Sequence, residues 1–300
     1  MVTPTRDGVV ERRRRVALAA DVWPFVETWL IEHGYESARL PVTRRDLFSS
    51  LREPTRSTDD DPEPQAAAGL IVRSTTRVDA ALLHAFPRLE VVATASTGFE
   101  HLDLAACRER RVAAFHAAGA NADSAADHTL ALLLAALRNV VPADGSLRDG
   151  RWDRAAFRGV ELAEKRLGLI GCGRVGTRVA RRALAFGMRV ISHDPYLSIS
   201  DLPADLRSTV QLVDLETLLR ESDIVSIHTP LNDETRGYLS ADRFDQLRDG
   251  AVVLNVARGG LLDERSLAQR LVAGRIAAAG VDVFEREPPG GEHPLRHAPR

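Results

Sequence analysis

Apolar positions along this chain fall into short runs closed by glycine or polar turns, and between them lie stretches whose apolar residues recur at helical spacing. "RVALAAD" reads as a first buried strand, and "WPFVETWLIEHGY", with a glycine near its end, as the helix that follows. "STDDDPEPQ" is a polar, acidic, proline-containing loop. "GLIVRSTTRV" and "LEVVATASTGFEHLD" are two further strands, separated by the helix-like "DAALLHAF". "RVAAFHAAGANADSAADHTLALLLAALRNV" gives a strand, a Gly/Asn turn and a long Ala/Leu-rich helix, whose "NADSAAD" start is expected to supply N-capping side chains. The polar "PADGSLRDGRWDRAAFRGVELAEK", with Trp152 as an isolated aromatic, reads as a segment connecting two domains. The rhythm then returns more clearly in "KRLGLIGCGRVGTRVARRALAFGMRVISHD", "SDIVSIHTP", "GAVVLNVARGG" and "GRIAAAGVDVF". Strands alternating with helices predict an α/β fold, here two doubly wound domains built on parallel sheets. No repeat at a solenoid period is visible.

The 300 residues, 44% of them hydrophobic, suffice for two domains with real cores. A formal net charge of −2 gives no global field toward nucleic acid, and the "ERRRR" run reads as a solvated terminus. Cys107 and Cys172 are too few, and too far from other ligand-type residues, for a metal centre or a disulfide scaffold. No apolar run approaches the roughly 18 residues of a spanning helix, and the N-terminus does not read as a signal peptide. A reduced cytoplasm is therefore the expected location, with no membrane partner.

Gly171, Gly173 and Gly176 in "GLIGCGRVG" form G-x-G-x-x-G, a weak signal alone but a specific one when it follows an apolar strand and opens a helix. The first glycine makes the turn, the second admits a pyrophosphate, the third lets helix meet sheet, and the helix N-terminus offers its N–H groups to the phosphates. Asp194, in "VISHDP", stands where a carboxylate accepts from a ribose 2′-hydroxyl and repels a 2′-phosphate. NAD is favoured over NADP. Cys172 reads as a small filler and His193 as a surface or packing residue.

A second constellation must carry the chemistry. Arg258, in "NVARGGLLDE", and Glu287, in "AGVDVFEREPP", each follow a buried strand at the edge where open α/β sheets bind ligands, and a guanidinium fork suits a carboxylate in two-point contact. From "GLIVRS" onward, with "GCGRVG", "HDP", "HTPLNDET", "NVARGG" and "DVFEREP" in order and spacing, the chain resembles the D-isomer-specific 2-hydroxyacid dehydrogenase family, which includes phosphoglycerate and erythronate-4-phosphate dehydrogenases.

The resemblance implies hydride transfer between C2 of a D-2-hydroxy or 2-oxo acid and nicotinamide, with Arg258 clamping the carboxylate and Glu287 orienting a proton-carrying histidine. It implies a substrate-binding, flavodoxin-like domain over 1–116, lacking its C-terminal return helix, and a Rossmann NAD-binding domain over 117–300, with the cleft between them. Cofactor contacts carried over by motif are Gly171, Gly173, Arg174, Val175, Gly176, Asp194, Thr229, Pro230, Thr235, Val256, Ala257, Arg258 and Asp282. His228 becomes a wall of the cofactor site. In the first domain Thr97 and Gly98 become candidates for the substrate carboxylate, and Arg73 and Ser74 for a substrate phosphate, as in 3-phosphoglycerate or 4-phosphoerythronate. Thr94 stands where phosphoglycerate dehydrogenases usually have arginine. His101 and His116 read as turn or core residues, and His128 as helix-face packing. Homodimers are common in the family, and the helix after Ala125 is a plausible contact.

One departure matters. The family's catalytic histidine lies in a "TPHxAG" segment well beyond the glutamate, whereas thirteen residues follow Glu287 here, and neither His293 nor His297 falls in that motif. The catalytic histidine and the closing helix are expected to be absent from these 300 residues. The sequence is then either a stretch of an ordinary dehydrogenase or a catalytically silent NAD(H)-binding sensor or interaction module.

Overall fold

The computed structural model describes residues 14–22, 24–42, 44–52 and 66–299, so the loop expected at "STDDDPEPQ" and the "ERR" part of the basic run lie outside the described residues. The chain divides into two compact units, Met1–Ala120 and Asn121–Arg300.

The first unit runs β1 (Arg15–Ala19), α1 (Pro24–Glu32), β2 (Glu36–Arg39), α2 (Arg44–Arg52), β3 (Gly69–Val72), α3 (Ala80–Ala85), β4 (Val91–Thr94), α4 (Leu104–Glu109) and β5 (Ala113–His116). All neighbouring strands are parallel, in the order β2-β1-β3-β4-β5, which is the flavodoxin-like doubly wound order. Leu70, Val72 and Val92 pack with Leu82, Leu83 and Phe86 of the α3 region and with Ala106 and Cys107 of α4. Both helices start on an aspartate. Asp79 accepts from the Leu82 N–H at 3.1 Å and Asp103 from the Ala106 N–H at 2.9 Å, pairing donors that the first helical turn leaves unsatisfied. The strand β2, "ESAR", was not legible in the apolar pattern. It is an edge strand with polar side chains and no buried residue, so it carries no hydrophobic signature.

The second unit runs α5 (Ala122–Leu137), α6 (Val140–Arg148), β6 (Arg166–Ile170), α7 (Arg174–Ala185), β7 (Arg189–His193), β8 (Val210–Leu212), α8 (Leu215–Glu221), β9 (Ile224–Ile227), α9 (Ala241–Phe244), β10 (Ala251–Asn255), α10 (Glu264–Val272) and β11 (Ile276–Val281). Its six strands are parallel in the order β11-β10-β9-β6-β7-β8. Counted from β6 as the first, that is the 3-2-1-4-5-6 order of dinucleotide-binding folds, with its switch point between β6 and β9. β9 and β10 are buried along their whole length because helices cover both faces. Leu167, Leu169, Val252 and Leu254 meet α5 and α7 on one face. Ile170, Val225, Ile227 and Val253 meet α8 and α10 on the other.

Two expectations need correction. Asn121 stands at the N-cap of α5 but makes no side-chain cap hydrogen bond. Asp123 of the same stretch instead takes Arg178 and Arg182 from α7, at 2.9 and 3.3 Å; the acidic start of α5 serves helix–helix contact rather than capping. The segment from Pro142 to Lys165 does not join the two units. It lies wholly inside the second, where α6 and a 3₁₀ turn at Arg154–Phe157 follow α5. Among the described residues no single helix is long and apolar enough to cross a membrane, and α5 with α6, which together have the length and composition, bend by 61° where they join.

Candidate functional site

The sequence-predicted residues of the second unit come together at the carboxyl ends of five adjacent strands. Glycines 171–176 follow β6, Asp194 follows β7, Thr229, Pro230 and Thr235 follow β9, Val256, Ala257 and Arg258 follow β10, and Asp282 and Glu287 follow β11. This edge, at the switch point, is where open α/β sheets bind ligands.

The glycines fit a dinucleotide, each differently. Gly171 has φ +95°, and a Cβ there would stand 2.7 Å from the His228 carbonyl oxygen. A Cβ on Gly176 would stand 2.2 Å from the Gly171 oxygen. At Gly173, φ is −75°, and a Cβ would meet nothing within 4 Å. Two glycines thus close the strand–turn–helix joint, and the middle one leaves open space before the N-terminus of α7, where Arg174 and Val175 begin the helix. That is the cradle a pyrophosphate needs. Asp194 Oδ2 accepts from the Cys172 N–H at 3.0 Å and Oδ1 from the Tyr196 N–H at 3.1 Å. The carboxylate therefore ties β7 to the glycine loop and makes a local turn, while a carboxylate's further lone pairs suit ribose hydroxyls. Cys172 is buried, and burial raises its thiol pKa, so it fills space as an inert thiol. His193 is half-buried, with Nδ1 3.2 Å from the Val213 oxygen.

After β9, His228 is desolvated and pushed down to about 4 by burial. Although the residue is only half-buried overall, Nδ1 is enclosed without a partner, and Nε2 lies 2.8 Å from Ser226 Oγ. A neutral ring walling the glycine loop follows from this enclosure. Thr235 Oγ1 donates to the Pro230 oxygen at 2.6 Å and accepts from the Asn232 N–H at 2.8 Å, shaping the turn beside Thr229.

Arg258 owes its place to Asn255, the last residue of β10, which is fully buried. The Asn255 amide donates to the Arg258 oxygen at 2.8 Å, and its oxygen accepts from the Ala257 N–H at 3.1 Å. Arg258 itself is half-buried and donates from Nη1 to the Ala257 oxygen at 2.7 Å. The adjoining Gly259 packs directly on the loop after β11, for a Cβ there would fall 2.0 Å from the Phe284 carbonyl. The loops bearing Arg258 and Glu287 thus touch through their backbones. Glu287 is exposed and accepts from the Phe284 N–H at 3.0 Å. Asp282 Oδ1 lies 3.3 Å from Nε2 of His128 on α5, so His128 makes a polar contact at this edge rather than packing a helix face. His293 lies 2.8 Å from Glu264 Oε2, and His297 is exposed. Among the described residues no histidine is hydrogen-bonded to Glu287. Asn255, Glu264 and the His293 contact went unnoticed in the sequence, although Asn255 and Glu264 stand within "NVARGGLLDE" itself.

In the first unit, β3 and β4 end side by side, with Val72 opposite Thr94. Exposed Arg73 and Ser74 therefore share an edge with half-buried Thr97 and Gly98. The Ser74 N–H donates to Ser96 Oγ at 3.3 Å, and the Thr97 oxygen lies 2.8 Å from His116 Nδ1. Thr94 is buried and bonded at 2.9 Å to His101 Nε2, which places His101 in a half-buried turn. His116, expected in a turn or the core, is exposed at the end of β5 with its ring edge-on to Phe99.

Comparison with known proteins agrees with this layout. Residues 130–300 match the family described as D-isomer specific 2-hydroxyacid dehydrogenase, NAD binding domain. The chain is 42% identical over 223 residues to a hydroxypyruvate reductase of Thermotoga maritima, covering 74% of this chain and 71% of that protein. It is 41% identical over 226 residues to a D-3-phosphoglycerate dehydrogenase of Archaeoglobus fulgidus, covering 75% of this chain but spanning only 42% of that relative's length. The crystal structure of the TT0316 protein from Thermus thermophilus superposes with a TM-score of 0.81 at 37% identity, covering 94% of this chain and 86% of the other. The chain therefore belongs to the D-isomer specific 2-hydroxyacid dehydrogenase family and carries, over residues 130–300, that family's NAD-binding domain.

Proposed function

We propose that this protein interconverts a D-2-hydroxy acid and a 2-oxo acid, with NAD as its cofactor. The observation that carries the reading is the direct contact of the Arg258 and Glu287 loops, at strand ends beside a glycine loop suited to a dinucleotide. Bound NAD(H) supplies the hydride donor or acceptor. The chain's own residues do the rest. Gly173 and the first N–H groups of α7 receive the pyrophosphate, and Asp194 holds the ribose. The Arg258 guanidinium clamps the substrate carboxylate through two parallel hydrogen bonds. An anionic Glu287 beside an imidazole would favour its protonated form, keeping a proton ready for the C2 oxygen.

Among the described histidines of the second unit none is hydrogen-bonded to Glu287, and His293, the nearest in sequence, is held by Glu264 instead. Losing a general acid costs about 10²- to 10⁴-fold in rate, so a site without that imidazole would turn over slowly. The same observation favours a second reading, a catalytically silent NAD(H)-binding sensor or interaction module. The substrate is a small 2-oxo acid, and Arg73 and Ser74 suit a phosphorylated one. The relatives' names, a hydroxypyruvate reductase and a D-3-phosphoglycerate dehydrogenase, support that class.

A homodimer is part of the same proposal: the helix expected to carry its contact, after Ala125, is α5, and the exposed apolar side chains next to it in the chain belong to α6. Its Val140, Val141 and Leu147 are 53, 70 and 58% exposed beside a cavity of about 370 Å³ lined by Leu132, Ala136 and Val141. The test of the activity reading is titration of the NADH-loaded chain with glyoxylate, hydroxypyruvate, 3-phosphoglycerate and 4-phosphoerythronate, in wild type, Arg258→Ala and Arg73→Ala. Arg258→Ala should abolish binding of each acid and Arg73→Ala weaken only the phosphorylated ones; binding indifferent to Arg258 would refute the clamp.

A further inference from the structure

We propose that Glu264 and His293 are positioning residues that hold Glu287 at a fixed place relative to Arg258. Glu264 is the first residue of α10, after the N-cap Asp263. A carboxylate there is welcome to the helix dipole, yet both of its oxygens turn to the loop after β11. Oε1 accepts from the Glu285 N–H at 2.7 Å, and Oε2 lies 2.8 Å from His293 Nε2. The two side chains are each only 11% exposed, so the pair is shielded from competing water. The clamp takes hold at residues 285 and 293, on either side of Glu287.

Three further features make the clamp consequential. An open cavity of about 310 Å³, lined by Leu271, Val281, Phe284, Pro289, Leu295 and Arg296, adjoins the loop, so apolar packing supports the loop only in part. The Phe284 ring meets His293 edge-on at 5.2 Å, and His293 Nδ1 accepts from the Leu295 N–H at 3.4 Å, joining the clamp to the 3₁₀ turn Pro294–Arg296. Phe284 and Glu285 are also the residues on which Gly259 packs, next to Arg258. Releasing Glu264 therefore loosens the surface that registers one loop against the other. A clamped carboxylate meets its imidazole without the cost of ordering a loop at each encounter.

The clamp rests on the dehydrogenase reading only for its consequence in turnover; its geometry is tested separately. Amide hydrogen exchange of the full 300-residue chain should be measured in wild type, Glu264→Ala, Glu264→Gln and His293→Ala. Losing a hydrogen bond to a charged acceptor is expected to reduce protection at Phe284 and Glu285 about 10- to 100-fold in Glu264→Ala. Protection along β6 should stay unchanged. Glu264→Gln, which keeps an oxygen for the Glu285 N–H, should restore most of it, and His293→Ala should fall between. Unchanged protection at 284 and 285 would overturn the proposal, as would a loss spread equally over β6, because that marks a general structural role. Where turnover is measurable, Glu264→Ala should lower kcat with little change in KM and add nothing in a Glu287→Ala background. Additive losses there overturn the positioning role. A wild-type chain without turnover counts against the activity reading and leaves the exchange result to decide the clamp.

Discussion

Gly173 and Gly176 differ by three positions in one motif and should fail in opposite ways. In Gly176→Ala the new methyl would stand 2.2 Å from the Gly171 carbonyl oxygen, so the first turn of α7 or the loop must retreat by roughly 1 Å to reach ordinary contact. Neither can do so freely, because Thr177 binds the Gly173 oxygen through both its N–H, at 3.0 Å, and its hydroxyl, at 2.8 Å. Overpacking of this kind costs about 1–3 kcal/mol. In Gly173→Ala the methyl meets nothing within 4 Å and φ is already −75°, so stability should change by no more than ~1 kcal/mol in either direction. That methyl nevertheless enters the space through which a pyrophosphate reaches the α7 N–H groups, and NAD affinity should drop by about tenfold or more, ~1.4 kcal/mol. Urea unfolding and calorimetric titration with NAD separate the two effects. Wild-type NAD affinity in Gly173→Ala, or wild-type stability in Gly176→Ala, would refute the assignment of roles.

Other expectations follow from the same edge of the sheet. Asp194→Ala should weaken NAD binding and raise affinity for NADP, reversing or flattening their ratio; an unchanged ratio in paired titrations sinks the ribose assignment. His228 is neutral in the folded chain down to about pH 4, below the ordinary 6.5 that applies when unfolded. Because the folded value is depressed, its contribution is complete above about pH 6.5, is lost as pH falls from there toward 4, and is constant below; the total is about 3 kcal/mol at most. Unfolding free energies across that window should fall for wild type and fall less for His228→Asn, and parallel curves would show that the histidine is not desolvated. Val141→Asp should convert a dimer to a monomer in light scattering, whereas a dimer that survives the charge does not use the α6 face.

The sequence made some features readable because they are local. G-x-G-x-x-G, the aspartate after the next strand, and the strand ends bearing Arg258 and Glu287 are each stated within a few residues, and parallel topology brings such ends to one edge. The polar edge strand β2 was unreadable because it buries no residue and shows no alternation. The side-chain cap expected at the start of α5 is not formed by Asn121, and Asp123 there pairs with Arg178, 55 residues away, which local pattern does not reveal. The same holds for Glu264 and His293, 29 residues apart, which meet only because α10 leads into β11 and the chain then folds back. His128 with Asp282 is a similar case. In sequence Asn255 is only a polar residue before Val256, and the paths of the Ala257 and Arg258 backbones show what its amide holds.

On the proposed reading Arg258 and Glu287 serve a 2-oxo acid reductase site, and no described histidine is hydrogen-bonded to Glu287. The most direct measurement follows NADH absorbance with a 2-oxo acid, with and without added imidazole, in wild type and Arg258→Ala. Slow oxidation that depends on Arg258 and is accelerated by imidazole about tenfold or more is expected. Rapid oxidation without imidazole, or none under either condition, would contradict that reading.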